Sequence, residues 1–425
     1  MRPLSRALIP LLSAALAAAV WFGPMEHAGV WQNGQIVDTP TYLSYASDVA
    51  AGKLPYRDVR VEYPPLAFAV ILPPRLFGSS LAAYTRAFSA LMGVLLALAA
   101  LATAATAACL GRSRRTQVAA GALVALGPAA TGSVSLTRFD LWPVALVACA
   151  LWALAARRSG VAGLLLGLGV AAKLWPALLA PMLLVVAYRR GALGRAAIGA
   201  ALGAGIPFAF ALGLSPSGLW HALSVQAGRP LQIESLGASL LISLSRNGIS
   251  GPYDVVWSYG SQNLTGGLVG AASVLSTILA FVSVLGALAL GIRATLRAPD
   301  ERDAISELAR FGMCAVAAGI AFGHVLSPQF MLWLLPFPLL VAGTRGIALA
   351  ALTALASILT LEEFPGRYWS YAIGLDGRVA ALVLARDLVL VGIVLVAAAQ
   401  PLRSSRAFAG TSRSPSLDPS TDRTR

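Results

Sequence analysis

The chain has 425 residues, of which 57% are hydrophobic and 12% charged, and its formal net charge is +14. Soluble domains carry about 25% charged residues, so this composition excludes an ordinary soluble core. A transmembrane β-barrel would alternate apolar and polar residues in segments of about ten residues. The apolar runs of this chain are instead apolar on every side, which excludes that architecture too.

About twelve apolar runs predict an all-α, polytopic membrane protein with about twelve transmembrane or re-entrant helices. A helix needs about 20 apolar residues to cross about 30 Å of hydrocarbon. Some runs are shorter than this, so we interpret the fifth and sixth as a bent pair that need not reach the far surface. The runs lie near residues 7–23, 81–110, 117–132, 139–156, 159–172, 174–187, 193–214, 266–291, 309–323, 329–343, 346–361 and 379–400.

The two ends of the chain suggest how it is divided. Residues 1–401 are assigned to one integral membrane domain, and the polar stretch 402–425 is predicted to be a disordered, basic cytoplasmic tail. The first apolar run also fits a cleaved signal peptide. Retaining it gives twelve alternating crossings, which is the interpretation that we prefer.

The basic residues predict the orientation in the membrane. With Arg2 and Arg6 on the cytoplasmic side, alternating crossings place most other arginines there as well. The whole positive excess is then the positive-inside bias of a plasma-membrane protein, and no nucleic-acid partner is needed. The long loops at 24–64, 215–265 and 362–378 open on the outer face, where we expect the functional site.

The first outer loop concentrates carboxylates and tyrosines. Carboxylates beside the low-dielectric edge of the bilayer are suited to act as a general base. Asp38 also fits the N-cap of a helix that starts near Thr39, and the later acids also fit simple pairing with neighbouring arginines. The candidates in this loop are Asp38, Tyr42, Asp58, Glu62 and Tyr63.

A second group of candidates lies at the other predicted outer positions. A cation at the membrane edge is costly unless it is paired or meets an anion, and phosphate is the anion most available in a lipid headgroup. The residues are Arg138 and Asp140 in "LTRFDLWP", Lys173 in "AAKLWP", Arg229 in "QAGRPLQIES", and His324 and Gln329 in "GHVLSPQF".

Each member of this second group also has a structural interpretation. Arg138 and Asp140 fit a local ion pair, Lys173 fits a side chain that extends to the headgroups, and His324 fits a structural histidine at a helix end. Arg386 and Asp387, adjacent within the last apolar run, are interpreted as packing residues or headgroup anchors.

The order of these motifs resembles a known family. "GKLPYRD" and "EYPPL", followed by "RFDLWP", "GLLLGLGVAAKLWPALLAPMLL" and "SPQFMLWLLP", is similar to the membrane-embedded GT-C glycosyltransferases and, within them, to glycosyltransferase family 87. The resemblance covers roughly residues 30–345. It implies a GT-C fold with extracytoplasmic catalytic loops, a polyprenyl-phosphate sugar donor, most often of mannose, and a glycolipid or glycan acceptor.

The resemblance also implies residue roles. It assigns the general base to Asp38, with Asp58 and Glu62 as alternatives, and the donor phosphate to Lys173, Arg138 and His324. We expect further substrate contacts from Tyr42, Tyr63, Asp140, Arg229 and Gln329. No cofactor is expected. A divalent metal stays open, because the three acids could bind one but their spacing is not diagnostic.

Two other classes of function remain alternatives. A transporter or flippase of lipid-linked saccharides would place its binding groups near the bilayer midplane and often shows two similar halves, whereas the charges here cluster towards one predicted face. A non-catalytic lipid-binding or scaffolding protein would need no carboxylate in a cleft.

Overall fold

The computed structural model describes residues 3–29, 31 and 36–400. Arg2, the side chain of Arg6 and the predicted tail at 402–425 lie outside the described residues. The described helices are, in order, α1 (Pro3–Val20), α2 (Thr39–Ala50), α3 (Phe68–Ile71), α4 (Leu81–Cys109), α5 (Arg114–Leu126), α6 (Val134–Thr137), α7 (Leu141–Ala155), α8 (Ser159–Ala172), α9 (Ala180–Arg189), α10 (Leu193–Leu214), α11 (Pro216–Ala227), α12 (Leu236–Arg246), α13 (Val269–Arg297), α14 (Glu301–Phe322), α15 (Gly343–Glu363), α16 (Tyr368–Gly374) and α17 (Gly377–Ala398).

Seven helices in this part of the chain are long and apolar enough to cross a membrane, so the protein is a polytopic membrane protein. A π-helical turn, Trp21–Met25, extends the first of them. The seven are Ala7–Met25, Leu81–Cys109, Leu193–Leu214, Val269–Arg297, Glu301–Phe322, Gly343–Glu363 and Gly377–Ala398.

The remaining predicted runs form shorter apolar helices, several of which are interrupted. Proline is the first or second residue of each of the 3₁₀ turns, because it lacks the amide hydrogen and favours the start of a new helical turn. The break within the predicted bent pair is confirmed, because Lys173 is extended between α8 and the next turn. The 3₁₀ turns are Pro65–Ala67, Pro73–Phe77, Gly127–Thr131, Trp175–Leu179, Pro328–Leu334 and Pro338–Leu340.

The basic loops around Glu301 lie at one end of the helix bundle, and Asp140 and Lys173 lie at the other end. Arg157 and Arg190 both contact the Glu301 carboxylate, at 3.1 and 3.3 Å, and join three short basic loops. α7 links this end to the other, because Asp140 precedes it and Arg157 follows it. Its 15 residues rise about 22 Å at 1.5 Å per residue. Lys173 lies at the C-terminal end of α8, on the same side as Asp140.

A β-hairpin is the one strand pair in the described chain, and the all-α prediction missed it. β1 (Asp254–Ser258) and β2 (Ser261–Thr265) pair antiparallel. Tyr259 and Gly260 connect them with φ of 51° and 67°, as a two-residue type I′ turn requires. The signal is present in "DVVWSYGSQNLT", where β-branched and aromatic residues flank a Tyr-Gly turn.

α8 and α10 approach closely through glycines. A Cβ on Gly163 or Gly167 would meet backbone atoms of α10, and one on Gly199 or Gly203 would meet backbone atoms of α8. Both helices thus carry glycines four residues apart, the spacing that lets membrane helices pack backbone to backbone. This contact fixes α8, and with it the position of Lys173.

We predict that Gly199→Ala lowers the stability of the protein by about 1–3 kcal/mol, because its Cβ would overlap the carbonyl oxygen of Gly160. Gly205→Ala, on the same helix with open space around it, is the control and should change stability by no more than about 1 kcal/mol. Thermal unfolding of both variants in detergent checks this. Equal melting temperatures for the two would show that the close contact does not exist.

Candidate active site

A cavity of about 620 Å³ lies at the end of the bundle opposite the basic loops. Its walls come from separate parts of the chain: the start of α2, the segments before α7 and after α8, the loop after α11, the hairpin tip, and the turn that starts at Pro328. Of the predicted site residues, the cavity is lined by Asp38, Tyr42, Glu62, Tyr63, Arg138, Asp140, Lys173, Arg229 and Gln329.

Asp38 reaches into this cavity instead of capping its own helix. It stands at the N-cap of α2, but its side chain accepts no capping hydrogen bond there. Its Oδ2 lies 2.9 Å from Arg138 Nη1, and the Tyr42 hydroxyl donates to it at 3.2 Å. The carboxylate is therefore oriented by Tyr42 from the first turn of α2 and by Arg138 from a distant part of the chain.

Asp140 pairs with Lys173 and not with Arg138. Lys173 Nζ donates to Asp140 Oδ1 at 2.7 Å, and Trp333 Nε1 donates to the same oxygen at 2.7 Å. The local Arg138–Asp140 pair considered from the sequence is not formed. Arg138 ends α6 in an extended conformation, so the two neighbouring charges are directed to different partners.

Aromatic rings enclose the Lys173 ammonium. Its Nζ lies 5.0 Å from the ring centre of Phe139 and 5.3 Å from that of Trp333. Trp333 also stacks on Trp175, with ring centres 5.5 Å apart. Cations within about 6 Å of an aromatic face are stabilised by its quadrupole, so Lys173 is fixed at the cavity wall and does not extend to the headgroups.

Arg229 adds a third cation to the cavity. In the described part of the chain no carboxylate lies within ion-pair distance of it, and its Nε donates to no protein group. Burial, followed by repulsion from Arg138, lowers the pKa of Arg229. A buried guanidinium in such surroundings is suited to an anionic ligand.

Tyr42 and Tyr63 form an aromatic wall beside Asp38. Their ring centres lie 5.7 Å apart, and Tyr63 meets Phe139 edge to face at 5.1 Å. Burial is the main cause that raises the pKa of both phenols. Both therefore stay protonated and can act as hydrogen-bond donors but not as bases.

Asp58 and His324 do not line the cavity. Asp58 closes a surface turn, where Arg57 and the Leu54 amide donate to it, and the Arg57 hydrogen bond is the main cause that lowers its pKa. The half-buried His324 accepts a hydrogen bond from the Gln232 amide through its carbonyl oxygen. Burial and then Arg229 lower the pKa of His324, which disfavours the charged imidazolium.

The predicted acids do not form a metal site. In the ranges that the structure describes, no three His, Cys, Asp or Glu side chains are grouped closely enough to hold an ion. Asp38 and Glu62 line the cavity, while Asp58 lies on the surface.

A buried charge cluster behind the cavity wall was not recognised from the sequence. Arg386 and Asp387 are each 0% exposed, so interpreting them as headgroup anchors was wrong. Arg386 donates to Asp387 at 3.1 Å, to Glu363 at 3.0 Å and to the backbone carbonyl of Glu234 at 2.7 Å. An arginine and an aspartate at the centre of an apolar helix are costly unless paired, and this was the signal available in the sequence.

Glu234 joins this cluster to the cavity, which it lines. Gln232 Nε2 donates to its Oε2 at 2.9 Å. Burial, and then the Glu363 carboxyl, raise the pKa of Glu234 well above its ordinary value. The cluster thus fixes the loop that follows Arg229.

We predict that Lys173→Met destabilises the protein by about 3–5 kcal/mol, because it leaves the Asp140 carboxylate buried without its cation. Lys173→Met/Asp140→Leu should recover part of this loss. Lys53→Met, which removes the exposed partner of Asp48, is the control and should have little effect. Melting temperatures check the series. A Lys173→Met protein as stable as Lys53→Met would contradict the buried pair.

The raised pKa of Glu234 predicts a pH dependence. A carboxyl that binds its proton more tightly when folded stabilises the protein below its unfolded pKa of about 4.3, and this contribution is lost as the pH rises towards the folded pKa. Between pH 5 and 8 the melting temperature of the wild type should fall relative to that of Glu234→Gln. Glu362→Gln, which alters an exposed pair with Arg367, is the control. A pH-independent difference would refute this assignment.

Comparison with known proteins identifies the family. The family model "Glycosyltransferase family 87" matches residues 62–322, which is more than half of the chain. No curated protein matches the chain. The matched region includes Arg138, Asp140, Lys173 and Arg229, while Asp38 precedes it. The chain belongs to glycosyltransferase family 87, and it is a membrane glycosyltransferase.

Proposed function

We propose that the protein transfers mannose from a polyprenyl-phosphate donor to a lipid or cell-envelope acceptor at the outer face of the plasma membrane. One observation carries this proposal: a carboxylate, Asp38, and three cations, Arg138, Lys173 and Arg229, line one cavity at one end of a membrane helix bundle.

Asp38 is the proposed general base. It accepts the proton of an acceptor hydroxyl while that oxygen attacks the anomeric carbon of the donor sugar. The bond from this carbon to the phosphate oxygen breaks, its electron pair leaves with the phosphate, and a single displacement inverts the anomeric centre. The contacts from Arg138 and Tyr42 fix the carboxylate for this step. Glu62 also lines the cavity and is the alternative base.

The cations are proposed to stabilise the departing phosphate. A phosphodiester carries one negative charge, and the monoester that leaves carries up to two near neutral pH. Positive groups already in place where this charge develops lower the barrier without reorganisation. Arg138 and Lys173 are each partly neutralised by a carboxylate. Arg229 is therefore the cation with the most charge to offer to the donor phosphate.

The distribution of charge supports an extracytoplasmic site. Arg157 and Arg190 lie at the end of the bundle opposite the cavity, around Glu301. Basic loops favour the cytoplasmic side, so the cavity would open on the outer side. A polyprenyl chain would then lie in the bilayer while its phosphate reaches the cavity.

We predict that Asp38→Asn lowers kcat about 10²- to 10⁴-fold, the usual contribution of a general base. The measurement is transfer of radiolabelled mannose from polyprenyl-phosphate-mannose by purified protein in lipid nanodiscs. Asp48→Asn, on α2 but paired with Lys53, is the matched control and should retain full activity.

Glu62→Gln distinguishes the alternative base in the same assay. Full activity of Asp38→Asn together with loss of activity in Glu62→Gln would move the base to Glu62. A wild-type protein that releases no sugar from this donor, either to an acceptor or to water, would refute the proposed function.

A further inference from the structure

The hairpin tip presents two large aromatic side chains at the cavity. Trp257 is 64% exposed and Tyr259 is 53% exposed, and both line the cavity. On another part of the wall Trp369 also faces the cavity and lies edge to face with Tyr368, with ring centres 5.4 Å apart. Exposed aromatic surface grouped around one opening is typical of a binding surface.

The hairpin holds these rings on a fixed framework. The segment 231–233 lies along β2, where the Leu264 amide donates to the Leu231 carbonyl at 2.9 Å and the Ile233 amide donates to the Gln262 carbonyl at 3.2 Å. The Tyr371 hydroxyl and Arg386 anchor this segment through the carbonyl oxygens of Ile233 and Glu234, both at 2.7 Å. The aromatic tip is therefore connected to buried helices.

Hydrogen-bond acceptors lie in the wall of the same cavity. Gln232 is 3% exposed and Gln329 is 4% exposed, and both line the cavity. Within the described ranges no protein group donates to the Oε1 atom of either side chain. A buried acceptor left without a donor costs about 1–3 kcal/mol, so a ligand rich in hydroxyl groups would gain from these positions.

We propose that Trp257 and Tyr259, at the hairpin tip, form the acceptor subsite and bind a pyranose ring of the acceptor. A pyranose has a face of C–H groups that packs on aromatic rings and a rim of hydroxyl groups that donate to carbonyl oxygens. This inference rests on the proposed function, because a molecule is an acceptor only if the protein transfers a sugar to it. Binding of a saccharide can nevertheless be measured without sugar transfer.

The surroundings of the hairpin tip favour a sugar over a lipid anchor. Trp257 is paired with Gln262, and Ser258 and Ser261 flank the turn. Trp220 offers the contrast: it is 72% exposed but does not line the cavity. Exposed tryptophan at a membrane interface serves as an anchor, so Trp220 is the matched control for a ring that does not bind the acceptor.

The test measures binding of tritiated octyl glycosides of mannose, glucose and galactose to the full chain in nanodiscs, by scintillation proximity and without donor. Tritiated dodecanol is the lipid-alcohol probe, and a tritiated serine-rich peptide is the peptide probe. Trp257→Ala and Tyr259→Ala should weaken binding of the preferred glycoside at least tenfold. Trp257→Phe should retain most of the binding, and Trp220→Ala should change it less than twofold.

The outcomes separate this inference from the proposed function. Binding of an octyl glycoside that depends on Trp257 supports the proposed acceptor subsite, and this measurement needs no donor. Equal binding of the free monosaccharide would indicate that the acceptor is a soluble glycan instead of a glycolipid. The inference is overturned if the wild type binds no glycoside, if Trp257→Ala binds as tightly as Trp220→Ala, or if dodecanol or the peptide binds in place of the glycosides.

Discussion

The candidate site depends on two ion pairs that neighbouring charged residues form with distant partners and not with each other. Arg138 and Asp140 are two residues apart, yet Arg138 pairs with Asp38 from α2 and Asp140 pairs with Lys173 from the end of α8. Each pair joins two distant parts of the chain at the cavity. Because breaking a buried pair leaves an uncompensated charge, the two contacts hold the Asp38 carboxylate, which is the proposed base, and the Lys173 ammonium in fixed positions relative to each other.

The helix architecture makes these two ion pairs possible. The glycine contact sets α8 against α10, and the break after α8 leaves Lys173 extended at its end. Trp333, in the 3₁₀ turn that starts at Pro328, donates a hydrogen bond to the Asp140 oxygen that also accepts from Lys173. Short, interrupted helices thus deliver polar groups where a continuous span would present only apolar ones. Non-helical backbone between membrane helices is tolerated where it lines a cavity.

The apolar runs of the sequence predict all seven membrane-length helices, since hydropathy is a local signal that does not depend on packing, but they do not show that the other predicted runs form shorter helices. Nine of the eleven site candidates chosen from the sequence line one cavity in the structure. The partners were not predictable, because pairing of Asp38 with Arg138 depends on contacts between residues 100 positions apart. Arg386 and Asp387 were interpreted as packing residues or headgroup anchors, whereas the structure joins them to Glu234 and Glu363 from other elements. The hairpin was missed although its Tyr-Gly turn, flanked by β-branched and aromatic residues, is visible in the sequence.

A structure of the protein bound to a non-hydrolysable polyprenyl-phosphate-sugar analogue tests the central claim most directly. Our account predicts that the phosphate lies in the cavity, within hydrogen-bond distance of Arg229 and beside Arg138 or Lys173, with the Asp38 carboxylate on the side of the anomeric carbon from which an acceptor would attack. A phosphate bound elsewhere, or an anomeric carbon remote from both Asp38 and Glu62, would contradict it.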